Sequence, residues 1–272
     1  MDRRREDLAT IVAMKRAAFQ HDGQTLSYLD SGGTGPLIVA LHAMWMEART
    51  YESFAEAMPD WRVVSMDQRG HGLSDHASDY SRDAFLGDIA ALLDHLHATE
   101  PAVLVGNSLG ANNACLFAAA HPERVRAMVF EEGSPEEGDE SFDFVLAWRG
   151  VYPTRAALEE KIGPRLTWSV APSFRETAHG WTLAFDPEDL LKMQKALNGN
   201  YWKEWLESKC PALVVRGTKS KVVDGAILAA MAERRPNTQL LSLDGGHVAH
   251  HDDAPGFNGA VRTFLTEVLA RR

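Results

Sequence analysis

Residues 102–112 read Ala-Val-Leu-Val-Gly-Asn-Ser-Leu-Gly-Ala-Asn, an apolar run that breaks on Gly106-Asn107-Ser108-Leu109-Gly110. The run predicts a buried strand, and the small residues that follow (Ala111, Ala114, Ala118, Ala119, Ala120) predict a helix that packs closely. A strand that passes into a helix through G-x-S-x-G leaves few folds open. The turn is sharp, and a glycine on each side lets neighbouring backbone come close. Such a turn holds the hydroxyl of Ser108 out of the sheet. It also aims the first N–H groups of the helix at any oxyanion that forms beside it. Ser108 is the first candidate nucleophile.

The rest of the chain alternates in the same manner. Apolar runs predict strands at 25–29, 37–41, 62–66, 102–106, 125–131, 212–216 and 239–243, and helical periodicity covers 49–58, 82–97, 109–121, 224–235 and 256–270. Strands that are apolar throughout and alternate with helices imply an α/β fold with a mainly parallel sheet covered on both faces. The alternation fails between Gly133 and Ser208, a stretch without a good strand that holds five of the seven tryptophans: Trp148, Trp168, Trp181, Trp202 and Trp205. The expected organisation is therefore a core of residues 1–132 and 209–272, with a helical cap, 133–208, inserted between two strands. In open α/β sheets ligands bind beyond the carboxyl ends of the strands, where Ser108 lies, so the cap would cover it. An aromatic cap can line an apolar pocket. Trp45, Trp148 and Trp181 are the expected substrate contacts.

Composition excludes several classes of function. A net charge of −10 with no concentrated basic face argues against a nucleic-acid partner. The basic residues near the start (Arg3, Arg4, Arg5, Lys15, Arg16) are interrupted by Glu6 and Asp7 and read as a solvated terminal helix or tail. No apolar run approaches the roughly 18 residues of a membrane span, and no signal-peptide core is visible. Cys115 and Cys210 fit small core residues in a reducing compartment better than a disulfide framework. The expectation is a cytoplasmic protein acting on a small molecule.

Four ordered segments resemble the α/β-hydrolase superfamily over most of the chain. Leu41-His42-Ala43-Met44 follows a buried strand where that family has its oxyanion loop, and Asp67-Gln68-Arg69-Gly70-His71-Gly72-Leu73-Ser74 is similar to its D-x-R-G-x-G-x-S turn. Gly106–Gly110 resembles the nucleophile elbow, and Gly245-Gly246-His247 follows the last strand, where the family keeps its catalytic histidine. The resemblance implies an oxyanion hole built from the N–H groups of Leu109 and Met44. Where the family has His-Gly this chain has His42-Ala43, which narrows the backbone available at position 43.

A serine hydroxyl needs an adjacent base. His247 is the candidate among eleven histidines, because the two glycines before it let the imidazole reach over the sheet. His250 and His251 adjoin Asp252 and Asp253, but neighbouring positions splay apart, so no metal site is expected there. The orienting acid has three candidates. Many relatives carry an Asp just after the strand at 212–216, but this chain reads Gly217-Thr218-Lys219-Ser220-Lys221 and has no carboxylate until Asp224. The preceding strand ends in Glu131-Glu132, and haloalkane dehalogenases and zearalenone-type lactone hydrolases place a glutamate acid there, about two dozen residues beyond the nucleophile. Glu132 stands first, ahead of Asp224 and Glu131. Alternation in a strand lets only one of the two adjacent glutamates face His247.

The resulting expectation is a serine hydrolase of a medium-sized apolar or cyclic ester or lactone, acting through an acyl-enzyme with no metal or organic cofactor. A serine at 108 is unsuited to dehalogenase or epoxide hydrolase chemistry, which needs a carboxylate nucleophile. A carbon–carbon bond hydrolase or a cofactor-free perhydrolase is the alternative with the same three residues. A ligand sensor on the same scaffold, with little turnover, is an alternative of a different class.

Overall fold

The computed structural model describes residues 14–138 and 142–270, and Arg3–Arg5 of the expected tail lie outside them. The first strands are β1 (Lys15–His21), β2 (Gln24–Asp30), β3 (Leu37–Leu41), β4 (Arg62–Met66), β5 (Ala102–Asn107) and β6 (Val125–Glu131), and β11 (Ala212–Gly217) and β12 (Thr238–Leu243) complete one eight-stranded sheet in the order β1-β2-β4-β3-β5-β6-β11-β12. The strands from β4 to β12 run parallel, and β2 pairs antiparallel with both β1 and β4. Strand β1 is absent from the sequence-based reading. Only Phe19 in it is buried, so its apolar signal is too thin to stand out. Lys15 and Arg16 therefore belong to an edge strand and not to a tail, and the Arg16 guanidinium reaches the Ser27 hydroxyl and the Asp67 carboxylate.

Successive residues of the central strands bury on opposite faces, as the two-residue period of a strand demands. Leu104, Met128 and Val214 pack under α2 (Arg82–His95), α3 (Leu109–Ala120) and α8 (Gly225–Arg234). Val103, Val105, Val129 and Val215 pack against α1 (Glu52–Glu56) and α10 (Ala254–Ala270) on the other face. Cys115 is buried in the first of these layers, where loss of hydration pushes its thiol up to about 12, so it behaves as a small apolar side chain. Among the described residues no helix is long and apolar enough to cross a membrane.

Between β6 and β11 the chain leaves the sheet. This stretch holds α4 (Arg155–Ile162), α5 (Thr167–Val170), α6 (Pro187–Leu197) and α7 (Trp202–Glu207), and its Val145, Trp148, Leu158, Phe174 and Met193 form a second core together with Ala77, Tyr80, Phe85 and Leu109. Two features depart from the purely helical reading. Among the described residues four short strands are present, β7 (Glu136–Glu137) paired with β10 (Gly199–Asn200) and β8 (Phe174–Thr177) paired with β9 (Gly180–Leu183), each too brief to leave a periodic signal. Helix α7 packs on α3, and its Trp205 is fully buried in the sheet's own core with its indole N–H donating to the Met231 carbonyl at 3.0 Å.

Candidate active site

Ser108 sits between the end of β5 and the start of α3 with φ 54° and ψ −115°, a conformation that costs a non-glycine residue of order 1–3 kcal/mol. The surroundings hold it there. Its N–H donates to the Glu131 carbonyl at 2.9 Å, and its own carbonyl accepts from the Asn112 N–H at 3.0 Å to open the helix. Both flanking glycines are required by contact: a Cβ on Gly106 would strike the Gly110 carbonyl, and one on Gly110 would strike the Leu41 carbonyl on β3. The G-x-S-x-G spacing is thus a packing condition at the crossing of β3, β5 and α3.

The two adjacent glutamates at the end of β6 diverge, each to a different histidine. Glu132 has φ 49° and is fully buried; its Oε2 lies 3.3 Å from Nδ1 of His247, and its Oε1 accepts the Gly217 N–H at 2.8 Å. Gly217 is where a Cβ would collide with the carbonyls of Gly245 and Gly246, so β11 and the loop before His247 are pressed together at this point. Glu131 takes His250 instead, with Nδ1 at 2.6 Å from Oε2. Asp224 is committed elsewhere: its carboxylate caps α8 by accepting the Ala226 N–H at 2.9 Å. A carboxylate facing Nδ1 fixes the tautomer of His247 and leaves Nε2 free to take a proton.

The loop that carries Met44 is built on two neutral histidines. His42 donates from Nδ1 to the Ala43 carbonyl at 2.7 Å and accepts the Gln68 N–H on Nε2 at 3.0 Å. His71 accepts the Trp45 N–H on Nε2 at 3.2 Å and uses Nδ1 toward the Arg69 carbonyl at 3.1 Å. Burial holds His42 below its ordinary range, and it drives His71 down to about 3 with help from His42 beside it. A neutral ring is needed in both, since a protonated Nε2 accepts nothing. Trp45 turns the loop at φ 56°. Its carbonyl accepts the Ser173 hydroxyl at 2.8 Å, and Glu47 two residues on pairs with Arg175, so the inserted stretch grips this loop at two points. The Asp67–Ser74 turn supports it from below: buried Asp67 accepts the Ala48 N–H at 2.7 Å and the Leu73 N–H at 3.1 Å.

Ser108, His247, Glu132, Met44 and Leu109 all line one cavity of about 870 Å³ between the sheet and the inserted stretch. That volume lies within the range of small-molecule sites. Of the three tryptophans expected at the substrate, only Trp45 is on its wall. Trp148 is 3 % exposed and packs in the inserted core between Trp45 and Phe144, at ring separations of 6.1 and 5.5 Å. Trp181 lies on β9, where its backbone pairs with Tyr152, and Arg155 covers its ring. Phe142, Phe144 and Trp168 line the wall instead. Their placement has no sequence signal beyond membership of the aromatic-rich stretch. His251 stacks on Trp168 at 4.8 Å, with its Nδ1 3.3 Å from Asp252.

An eight-stranded, mainly parallel sheet with a serine at a strained strand–helix turn defines the class, and the comparisons agree. The chain belongs to the α/β hydrolase fold family, whose model matches residues 32–254. It is similar to a mouse (Mus musculus) sn-1-specific diacylglycerol lipase, ABHD11, at 39 % identity across 88 % of this chain and 85 % of that protein. It is also similar to 2-(acetamidomethylene)succinate hydrolase of Mesorhizobium japonicum, at 29 % identity across 78 % of this chain and 81 % of that one. Among solved structures, an E-2-(acetamidomethylene)succinate hydrolase superposes with a TM-score of 0.80 at 24 % identity, covering 93 % of this chain and 99 % of the other. The enol-lactonase of Burkholderia xenovorans LB400 superposes at 0.77 and 21 % identity, covering 92 % and 100 %.

Proposed function

We propose that the protein is a serine hydrolase that cleaves a carboxylic ester or lactone of a medium-sized, largely apolar small molecule through an acyl-enzyme. The observation that carries the reading is the facing of the Glu132 carboxylate and His247 Nδ1 at 3.3 Å on the wall of the cavity that also holds strained Ser108. In this reading His247 Nε2 takes the Ser108 proton as Oγ attacks the carbonyl carbon. The carbonyl oxygen becomes an oxyanion that accepts from the Leu109 and Met44 N–H groups, at the positive end of α3. Collapse expels the alkoxide, which takes the proton from His247. Water then repeats the cycle, giving the acid and restoring Ser108. Residues 133–208 act as the cap. They supply Phe142, Phe144 and Trp168 to the apolar wall of the cavity.

The mouse relative's description as a lipase supports an ester over a carbon–carbon bond. The test combines labelling and turnover. A fluorophosphonate is expected to modify wild type at Ser108 and leave Ser108→Ala unmodified. On a panel of p-nitrophenyl esters and lactones, Glu132→Gln is expected to lose at least 100-fold in kcat while Asp224→Asn stays within threefold of wild type. Equal labelling of both proteins, or the reverse ranking of the two carboxylates, overturns the assignment.

A further inference from the structure

Glu131 and His250 do nothing in the chemistry just described, yet they form the most completely enclosed polar pair at the site. Glu131 is fully buried, and the His250 side chain is 1 % exposed. Both oxygens of Glu131 are committed to one residue: Oε1 accepts the His250 backbone N–H at 2.8 Å, and Oε2 lies 2.6 Å from its Nδ1. The ring is held on its other edge as well. Nε2 lies 3.2 Å from the Thr50 hydroxyl, and Tyr51 stacks on the ring at 4.6 Å with 13° between planes. A carboxylate and an imidazole at this depth occupy a place where two apolar side chains would pack without any desolvation cost. They are also joined to every segment that delivers a group to Ser108. Glu131 precedes Glu132 and offers its carbonyl to the Ser108 N–H. His250 lies three residues beyond His247, in the turn α9 (Ala249–Asp252). Thr50 and Tyr51 follow directly on the Met44–Glu47 loop, and the Tyr51 hydroxyl donates to the Leu41 carbonyl at the end of β3. Asn107 closes the ring of contacts by donating its amide to the His247 carbonyl at 2.9 Å.

We infer that Glu131 and His250 form a second, non-reacting carboxylate–imidazole pair whose role is to position His247. Two consecutive glutamates each take one of two histidines spaced by three. One pair reacts and the other locks the turn that presents it. Because Oε1 holds the backbone of His250 and Oε2 its ring, α9 can neither slide nor rotate. The imidazole of His247 therefore meets Glu132 in a single geometry. Glu131 and His250 are positioning residues: neither lines the cavity.

This inference rests on the Ser108–His247–Glu132 reading, and the experiment separates the two. The probes are p-nitrophenyl butyrate turnover and the rate of fluorophosphonate labelling, with the thermal midpoint measured alongside. Glu131→Gln, which keeps the shape and removes the charge, is expected to lower kcat and the labelling rate by 10- to 100-fold with KM within twofold. Thr50→Val, which removes only the contact to Nε2, is expected to lower kcat by three- to tenfold while remaining folded. In a Glu132→Gln background, Glu131→Gln is expected to add less than threefold, because the interaction it protects is already gone. A purely structural role would instead lower the midpoint and leave kcat per folded molecule unchanged, and that result overturns the inference. If Glu131→Gln does not fold, Thr50→Val decides, and an unchanged kcat there overturns it too. Should His247→Asn and Glu132→Gln themselves retain full turnover, the triad reading falls and takes this one with it. Loss of turnover in those two variants beside wild-type kcat in Glu131→Gln and Thr50→Val removes this inference alone.

Discussion

At the scale of single residues the site stores strain where it needs reach. Ser108, Trp45 and Glu132 are three of the described non-glycine residues with positive φ, and each stands at a point where a side chain or an N–H must leave the line of its strand or loop to face the cavity. A left-handed conformation is tolerable only when neighbours determine it more strongly than the residue's own preference. For Ser108 those neighbours are the Glu131 carbonyl, which accepts its N–H, and the Asn112 N–H, which donates to its carbonyl. Ser108→Gly is therefore expected to be more stable than wild type. Relief of the strain outweighs the roughly 0.5–1 kcal/mol of extra unfolded-state freedom that glycine brings. A net gain of about 1 kcal/mol corresponds to a rise of about 2–4 °C in the thermal midpoint for a domain of this size. A differential scanning measurement checks it, and a fall in the midpoint means the turn is not strained. The sequence carried this much of the site openly, since two glycines around a serine state the packing condition directly. It also placed Glu132 ahead of Asp224 as the proposed acid, because lysines at 219 and 221 fill the loop before Asp224. It did not show that Glu131 has a histidine of its own. Residues 131 and 250 are far apart in the chain, and their pairing is decided only when β6 and α9 meet.

Between elements the decisive contact joins the inserted stretch to the Met44–Glu47 loop. Arg175 at the start of β8 pairs with Glu47, whose side chain is fully buried. Burial raises the Glu47 carboxyl above its ordinary range and the nearby Asp67 adds to this, while the Arg175 guanidinium opposes both. Arg175→Ala leaves that carboxylate enclosed with only the 3.5 Å contact of solvent-facing Arg49. The expected cost is about 3 kcal/mol at pH 8, at the low end for breaking a buried pair because Arg175 is itself partly exposed. The sign of the pH dependence follows from linkage. A carboxyl whose folded pKa is raised binds more protons folded than unfolded in the interval between the two values, so the penalty is full above that interval and is relieved as pH falls through it. Removing Arg175 raises the folded value further. The stability difference between wild type and Arg175→Ala is therefore expected to shrink between pH 8 and pH 5 in urea titrations. A difference that grows on acidification means Glu47 stays charged without its partner. Elements of this kind were illegible beforehand. Strand β8 is four residues long and half exposed, and β1 has a single buried apolar side chain, so neither repeats often enough to register as a period. The central strands were legible for the opposite reason: with both faces covered, nearly every position in β5 is apolar and buried.

For the molecule as a whole, the aromatic residues divide between holding the inserted stretch together and facing the cavity, and composition cannot make that division. A tryptophan in a short helix adds the same apolar content whether its ring turns inward or toward the site. Here the inward set includes Trp148 and Trp205, buried in two different cores, and the outward set includes Trp45, Phe144 and Trp168. The two sets answer to different measurements. Trp148 is 3 % exposed and contacts Trp45 and Phe144 edge-on, so Trp148→Ala opens a void that its neighbours fill only in part. Truncation of a buried tryptophan costs about 3–5 kcal/mol, or about 10 °C in midpoint here. Trp168 is 42 % exposed at the cavity wall and rests on His251, so Trp168→Ala gives up little burial. Its expected cost is under about 1 kcal/mol, within the ordinary range for a half-exposed position. Its effect falls on the ligand: the KM for p-nitrophenyl butyrate is expected to rise by three- to tenfold with kcat within twofold, the pattern of a lost contact made equally in ground and transition states. Trp148→Ala, assayed at a temperature where it remains folded, is expected to keep KM within twofold. If Trp148→Ala raises KM at unchanged stability while Trp168→Ala lowers the midpoint, the inward and outward sets have been exchanged and the cavity wall lies on the other side of the inserted core.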